Sequence, residues 1–166
     1  IGSAACRLLP AAGFGMWTAS DAGGELSDLP VEPAMPATIL YTSGTTGAPK
    51  GVLLSHGNLV SNVLAVVAYL RLTPSDRILH VLPFHYSYGN SVLHTHLAAG
   101  ATVIIEPGFA YPHRILERMA AEGATGFSGV PATYALLLSR TRLDRYPLAS
   151  LRYLTQAGGA LAAADI

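Results

Sequence analysis

ILYTSGTTGAPKGVLLSHGNL, residues 39–59, is the stretch whose reading decides the fold. An apolar β-rich run at residues 38–41 enters a segment holding three glycines, TSGTTGAPKG at residues 42–51. A second short β-rich run follows at residues 51–54, and Ser55 then stands where a helix N-cap belongs. Glycines 44, 47 and 51 let backbone N–H groups turn toward one point without Cβ obstruction, and Ser43, Thr45 and Thr46 add hydroxyl donors around it. That is a nest for an anion. Lys50 brings a point positive charge to the far end of the loop, suited to a polyphosphate whose charge grows as it departs. It is also the only lysine among ten basic residues, the other nine being arginines. The loop is not a Walker A sequence, because Pro49 precedes Lys50 and Gly51 follows it, where that pattern has Gly before and Ser or Thr after. A glycine-rich surface turn between two strands is the plainer reading of a loose pattern; the ten specific positions here favour phosphate.

Outward from this stretch, residues 77–82, 101–105, 125–128 and 151–155 read as further short buried strands. Amphipathic segments lie between them. Residues 56–70 carry Leu59, Val63, Val66, Val67 and Leu70 on one helical face. Pro112 suits the first turn of a helix through Glu122 whose stripe is Ile115, Leu116 and Met119 and whose end is marked by Gly123. Pro131 opens another helix through Ser139, and one more is expected around residues 94–96. Strands alternating with helices predict βα units, hence an α/β fold with a mainly parallel sheet covered by helices on both faces. Residues 1–36, rich in Gly, Ala, Pro, Ser and Asp, are expected to be an irregular lead-in with at most short elements, and residues 37–166 to form the folded part.

Composition narrows the function. The 166 residues suffice for one domain or part of one. Hydrophobic residues make up 51% and charged ones 12%, with zero formal net charge, so no basic stripe exists to hold nucleic acid. No apolar run is long enough to cross a bilayer. Cys6 is the lone cysteine, which rules out an internal disulfide and a cysteine-rich metal site and fits a reducing, cytoplasmic setting. His94 and His96 stand two apart with no Cys, Asp or Glu cluster to complete a shell, so they read as core or surface histidines, and no metal site is expected of this chain's own ligands.

Residues 39–59 resemble the signature of the adenylate-forming (AMP-binding) superfamily, which holds acyl-CoA synthetases, luciferases and peptide-synthetase adenylation domains. LPFHYSYGN (residues 82–90), LAAGATVII (97–105), GVPATYALLL (129–138) and QAGGAL (156–161) follow in that family's order, extending the resemblance over about residues 30 to 166. It implies part of the large N-terminal domain of an enzyme that activates a carboxylic acid with ATP and Mg2+ to an acyl-adenylate, then passes the acyl group to a thiol, coenzyme A or a phosphopantetheine carrier. Thr42, Ser43, Gly44, Thr45, Thr46, Gly47 and Lys50 would bind the ATP phosphates, with Lys50, Thr45 and Thr46 stabilising the leaving pyrophosphate. The magnesium would be held by phosphates and water.

The resemblance also assigns an acyl pocket to His85, Tyr86, Ser87, Tyr88 and Gly89. The family often carries a gating histidine there; counted without gaps, that place falls on Tyr86, with His85 just before it. Tyr86 reads equally as a gate or as ordinary aromatic packing after a strand. Amino-acid-activating members carry an aspartate in this segment, and the matching residue is Ser87. No acidic residue occurs in residues 77–105, so an acid without an α-amino group, fatty or aryl, is implied. Gly158 and Gly159 resemble a glycine pair lying along the acyl carbonyl and adenosine, with Ala160 beside them on the acyl side. The start at Ile1 and the alanine-rich stop at residues 161–166 lead to the expectation of a piece cut from something longer. The adenine-side aromatic motif, ribose aspartate, hinge and C-terminal catalytic lysine would then lie beyond it and leave the piece inactive alone. The competing reading is a non-catalytic nucleotide- or phosphate-binding module.

Overall fold

The computed structural model describes residues 8–9, 31–42 and 50–161 of the chain. Along it lie β1 (Leu8–Leu9), β2 (Pro36–Thr42), β3 (Lys50–Ser55), α1 (His56–Leu70), β4 (Arg77–His80), α2 (Ser87–Ala98), β5 (Thr102–Ile105), α3 (Pro112–Ala121), β6 (Gly126–Gly129), α4 (Pro131–Arg140), a 3-10 turn at Leu143–Arg145 and β7 (Tyr153–Gln156). Five strands form one sheet in the order β1-β5-β4-β6-β7, every pairing parallel. The α/β class and the parallel sheet expected from sequence are therefore present.

Alternation along the strands makes two cores. Ile78 and Val103 point to one face and meet Val92 of α2. Leu79, Ile104 and Phe127 point to the other and meet Ile115, Leu116 and Met119 of α3 and Leu137 of α4. Both faces of the sheet are thus covered by helices, and the α3 stripe read from sequence is the buried one.

Strand ends differ from the sequence reading by one or two residues. Residues 81 and 82 leave β4 because the chain must turn at Pro83, which has no N–H for a ladder and whose carbonyl accepts from the Tyr86 N–H at 3.3 Å. Helix α1 begins where the serine predicted. The Ser55 hydroxyl accepts from the Asn58 N–H and the Asn58 side chain accepts from the Ser55 N–H, a reciprocal capping box. Leu59, Val63, Val66, Val67 and Leu70 form the half-buried face of α1, and no residue of that helix is fully buried.

The strands flanking the glycine-rich loop depart from the parallel pattern. β2 and β3 pair antiparallel with each other in a separate two-stranded sheet, from Pro36 opposite Ser55 to Thr42 opposite Lys50. The cause is the short connection: a handful of residues reverses a chain between antiparallel neighbours, whereas parallel neighbours need a crossover of roughly a dozen or more. Ile39, Tyr41 and Leu53 on the outer face of this hairpin are exposed, as are Val60 and Leu64 on α1.

At the amino end of the sheet, the buried Asp76 carboxylate accepts from the Thr73 N–H and hydroxyl, the Thr125 hydroxyl and the Arg152 guanidinium. Arg152 also donates to the Leu70 and Arg71 carbonyls, satisfying the orphan acceptors where α1 ends at Arg71 with φ of 52°. Burial pushes the Asp76 carboxyl upward, but these donors outweigh it and hold the group below its ordinary value.

Candidate functional site

Hairpin pairing brings Thr42 and Lys50 face to face across β2 and β3, with the Thr42 hydroxyl donating to the Lys50 carbonyl at 3.4 Å. Both are exposed at the loop end of the hairpin. Ser43, Gly44, Thr45, Thr46 and Gly47, the remaining residues expected to hold phosphate, lie outside the described residues. The inner face of the hairpin carries Leu40 and Leu54, which border a cavity of about 420 Å3 together with Ser87, Tyr88, Asn90 and His94 of α2. The hairpin whose strands flank the loop expected to hold phosphate therefore stands against the amino end of the helix bearing the expected acyl-pocket residues.

That end of α2 is shaped by a close backbone approach. Gly89 is buried, and a Cβ there would stand 2.3 Å from the Pro83 carbonyl oxygen, so the turn closes only on glycine. Tyr86 is the N-cap residue, and the His85 ring lies against it with centroids 4.3 Å apart. A cavity of about 460 Å3 opens beside this turn, bordered by Tyr86, Ser87, Tyr88 and Gly89 and, across the gap, by Thr133 and Gly158. Its position past the carboxyl ends of β4, β6 and β7 is where open α/β sheets bind ligands. His85, expected with this group, is exposed and is not among the residues bordering the cavity, though its ring touches that of Tyr86, which is. Gly158 takes a φ of 90°, and its turn is tied by the Gln156 amide donating to the Gly159 carbonyl at 2.7 Å. Gly159 and Ala160 follow, exposed on the same turn.

A third cavity, about 220 Å3, lies deeper, between α1, α2 and the ends of β6 and β7. Tyr88 borders all three cavities. Its hydroxyl hydrogen-bonds the Thr155 hydroxyl at 2.8 Å, which in turn bonds the Ser128 hydroxyl at 2.7 Å. Burial raises the Tyr88 phenol pKa above its ordinary value, with the Thr155 and Ser128 hydroxyls opposing. Tyr134 donates to the Thr155 carbonyl at 2.7 Å. His96, buried and held below the usual imidazole pKa by desolvation, bonds the Val92 carbonyl through Nδ1 at 2.7 Å and the Tyr153 hydroxyl through Nε2 at 2.6 Å. The carbonyl makes Nδ1 the donor, and the neutral ring that burial favours then accepts at Nε2 from the Tyr153 hydroxyl.

Among the described residues no carboxylate borders any of these three cavities. The buried Glu106 is engaged by Arg114 and Arg118. Among the described residues no group of three His, Cys, Asp or Glu side chains is placed to hold a metal ion, and His96 lies in the core while His94 is half-buried at the hairpin. Nor is any helix among them long and apolar enough to cross a membrane. Sequence reading missed Ser128 and Thr155. The signal was a hydroxyl in each of two apolar strands, legible only once register sets Ser128 opposite Thr155.

Compared with known proteins, the sequence matches the family described as AMP-binding enzyme over residues 10–166. It is 40% identical over 129 residues to the indoleacetate–CoA ligase of Aromatoleum aromaticum, covering 77% of this chain and 25% of that ligase. It is 37% identical over 146 residues to a feruloyl-CoA synthase of an Amycolatopsis species, covering 87% and 29%. Among solved structures, ATP-bound MatB from Rhodopseudomonas palustris is similar with a TM-score of 0.70 and 41% identity, covering 76% of this chain and 25% of that one. The o-succinylbenzoate CoA synthetase of Bacillus subtilis, in complex with its acyl-adenylate intermediate, is similar with a TM-score of 0.70 and 33% identity, covering 78% and 33%. The chain thus spans between a quarter and a third of the length of these relatives.

Proposed function

The chain belongs to the AMP-binding enzyme family, and on that premise we propose that it carries the phosphate loop and acyl-side wall of an ATP-dependent acid–thiol ligase. One observation carries the reading: the hairpin ending at Thr42 and Lys50 stands against the helix end, Tyr86 to Gly89, that faces Gly158 across a 460 Å3 crevice. The hairpin from which the expected anion-binding loop starts and the expected acid-binding wall thereby border one cavity, which suits a reaction joining a carboxylate to a nucleotide phosphate. Similarity to ligases named for indoleacetate and ferulate, and to structures titled as holding ATP and an acyl-adenylate, supports the same reading.

In the first half-reaction the substrate carboxylate oxygen forms a bond to the α-phosphorus of ATP. The bond from that phosphorus to the bridging oxygen breaks, and pyrophosphate leaves with the electron pair. Lys50 and the loop hydroxyls Thr42, Ser43, Thr45 and Thr46, with the N–H groups of Gly44 and Gly47, stabilise the departing charge. Mg2+, when bound, would shield the phosphate charge, carried by the phosphates and water. In the second half-reaction a thiolate, from coenzyme A or a phosphopantetheine carrier, attacks the acyl carbonyl and AMP leaves. Gly158, without a Cβ, lets backbone approach the carbonyl and nucleotide closely, with Gly159 and Ala160 continuing that edge.

The acid lacks an α-amino group on this reading, because Ser87 and its neighbours offer no carboxylate to an ammonium. Mass-spectrometric detection of thioester formed by the complete enzyme from ATP, an acid panel and either coenzyme A or a loaded carrier tests it. Thioester is expected with non-amino acids and one of the two thiols. No thioester or adenylate with any acid refutes the ligase, and selective use of α-amino acids refutes the substrate class.

A further inference from the structure

Helix α2 packs on β4 and β5, while β7 is the edge strand beyond β6. Side chains nevertheless tie the two together across β6. Tyr153 and Thr155 stand two apart on β7 and share the face that α2 covers. The Tyr153 hydroxyl meets Nε2 of His96 at 2.6 Å, and the Thr155 hydroxyl meets that of Tyr88 at 2.8 Å. Tyr88 and His96 are about 12 Å apart along α2 at the usual helical rise. Two ties at that separation stop the helix from pivoting about either one.

A glycine admits the longer reach. Gly126 of β6 is buried and paired with Tyr153, and a Cβ there would overlap Cζ, Cε2 and the hydroxyl of the Tyr153 ring. The ring therefore takes the place of the missing side chain and crosses β6 to the helix. The Arg152 guanidinium stands 5.2 Å from its centroid and is itself clamped by Asp76. His96 is fully buried, and the Val92 carbonyl at 2.7 Å from Nδ1 sets the ring's direction. Burial keeps the imidazole neutral and the Tyr153 phenol protonated. The Thr125 hydroxyl lies near that phenol too, but has partners of its own in Asp76 and the Arg77 N–H.

The ties bear on the 460 Å3 crevice. One of its walls is the amino end of α2, and across the gap stands Gly158, on the turn that follows β7. The ladder to β6 holds β7 in the sheet, so any play between the two walls belongs to α2. Resting on the ligase reading above, we propose that Gly126, Tyr153 and His96 are positioning residues: the His96–Tyr153 bond that Gly126 admits sets the distance between the α2 wall and Gly158 during acid activation. A misplacement of ~1 Å originating far from the reacting atoms is enough to impair a reaction. Neither Gly126 nor Tyr153 is among the residues bordering the three cavities, so an effect of either reaches the acid through α2.

The test compares KM for the acid and KM for ATP in acid-dependent pyrophosphate exchange by the complete enzyme. Tyr153→Phe deletes only the bonding oxygen, and Gly126→Ala keeps both partners but displaces the ring. Each should raise the acid KM about two- to tenfold, the scale of one lost hydrogen bond. The ATP KM should stay unchanged, because the hairpin carrying the expected phosphate loop is not part of the tie. His96→Leu combined with Tyr153→Phe removes both partners, so the urea midpoint should return toward that of the unaltered enzyme, while the acid KM stays raised. A native acid KM in either single variant, its recovery along with stability in the double variant, or an equal rise for ATP overturns the inference and leaves the ligase standing. Exchange with no acid at all in the unaltered enzyme refutes the ligase and the inference together.

Discussion

His80 offers the most quantitative prediction. It ends β4, is 2% exposed, stacks on Phe84 at a centroid distance of 4.6 Å, and neither ring nitrogen has a hydrogen-bond partner. Burial pushes its pKa from 6.5 down to about 4, the nearby Leu82 backbone opposing and His96 adding to the shift. The fold therefore accommodates the neutral ring while the unfolded chain protonates readily, so the fold loses stability as pH falls from the unfolded value toward the folded one. A shift from 6.5 to about 4 corresponds to about 3 kcal/mol at ~1.4 kcal/mol per unit, fully present above pH 6.5 and gone below about pH 4. His80→Leu keeps an apolar side chain of similar bulk and removes the titration. Urea midpoints of the chain and the variant, measured from pH 7.5 to 4.5, should diverge, the native chain losing about 2 to 3 kcal/mol more than His80→Leu. The variant should also be close to the native chain in stability at pH 7, because the buried ring nitrogens make no hydrogen bond of good geometry that it would lose. Parallel pH profiles for the two proteins would refute the claim that the imidazole is buried and neutral.

Other consequences are as direct. Gly89→Ala forces a Cβ against the Pro83 carbonyl and should cost ~1–3 kcal/mol of stability by urea unfolding while weakening acid binding in the complete enzyme; an unchanged midpoint would show that the turn can open. Asp76→Asn leaves the Arg152 clamp without its charge partner and should destabilise by about 2 kcal/mol at pH 7. Its effect should fade in acid, since a carboxyl held below its ordinary value contributes above that value and loses its contribution as pH falls through the folded one; a constant difference from pH 7 to 3 would contradict the assignment. α-Amino acids should support no exchange where the matching acids without the amino group do, because no carboxylate borders the crevice.

The sequence made legible what local physics decides. Ser55 marked the start of α1 because its capping chemistry with Asn58 is contained in four residues. Pro112 and the Ile115, Leu116, Met119 stripe defined α3 in the same way, and alternation of apolar runs with amphipathic ones gave the parallel sheet. What escaped depends on which strands become neighbours. The exclusion of the β2–β3 hairpin from the main sheet depends on contacts beyond the hairpin itself, and the meeting of Ser128 with Thr155 under Tyr88 is a fact of register between segments distant in sequence. His85 lies exposed beside the N-cap residue Tyr86 and is not among the residues that border the crevice, a placement set by the turn at Pro83. Thr42 and Lys50, by contrast, came together as the loop required, since a hairpin closes its own ends.

The central claim is that Lys50, at the loop end of the hairpin, meets the pyrophosphate leaving an acid-activated ATP. Acid-dependent exchange of labelled pyrophosphate into ATP by the complete enzyme, compared with its Lys50→Ala variant, measures this step apart from any thiol. A loss of about ten- to a thousandfold is predicted, in line with removal of other single groups that stabilise developing charge, with the thermal unfolding profile of the variant unchanged because Lys50 is exposed. Exchange at the unaltered rate would contradict the claim.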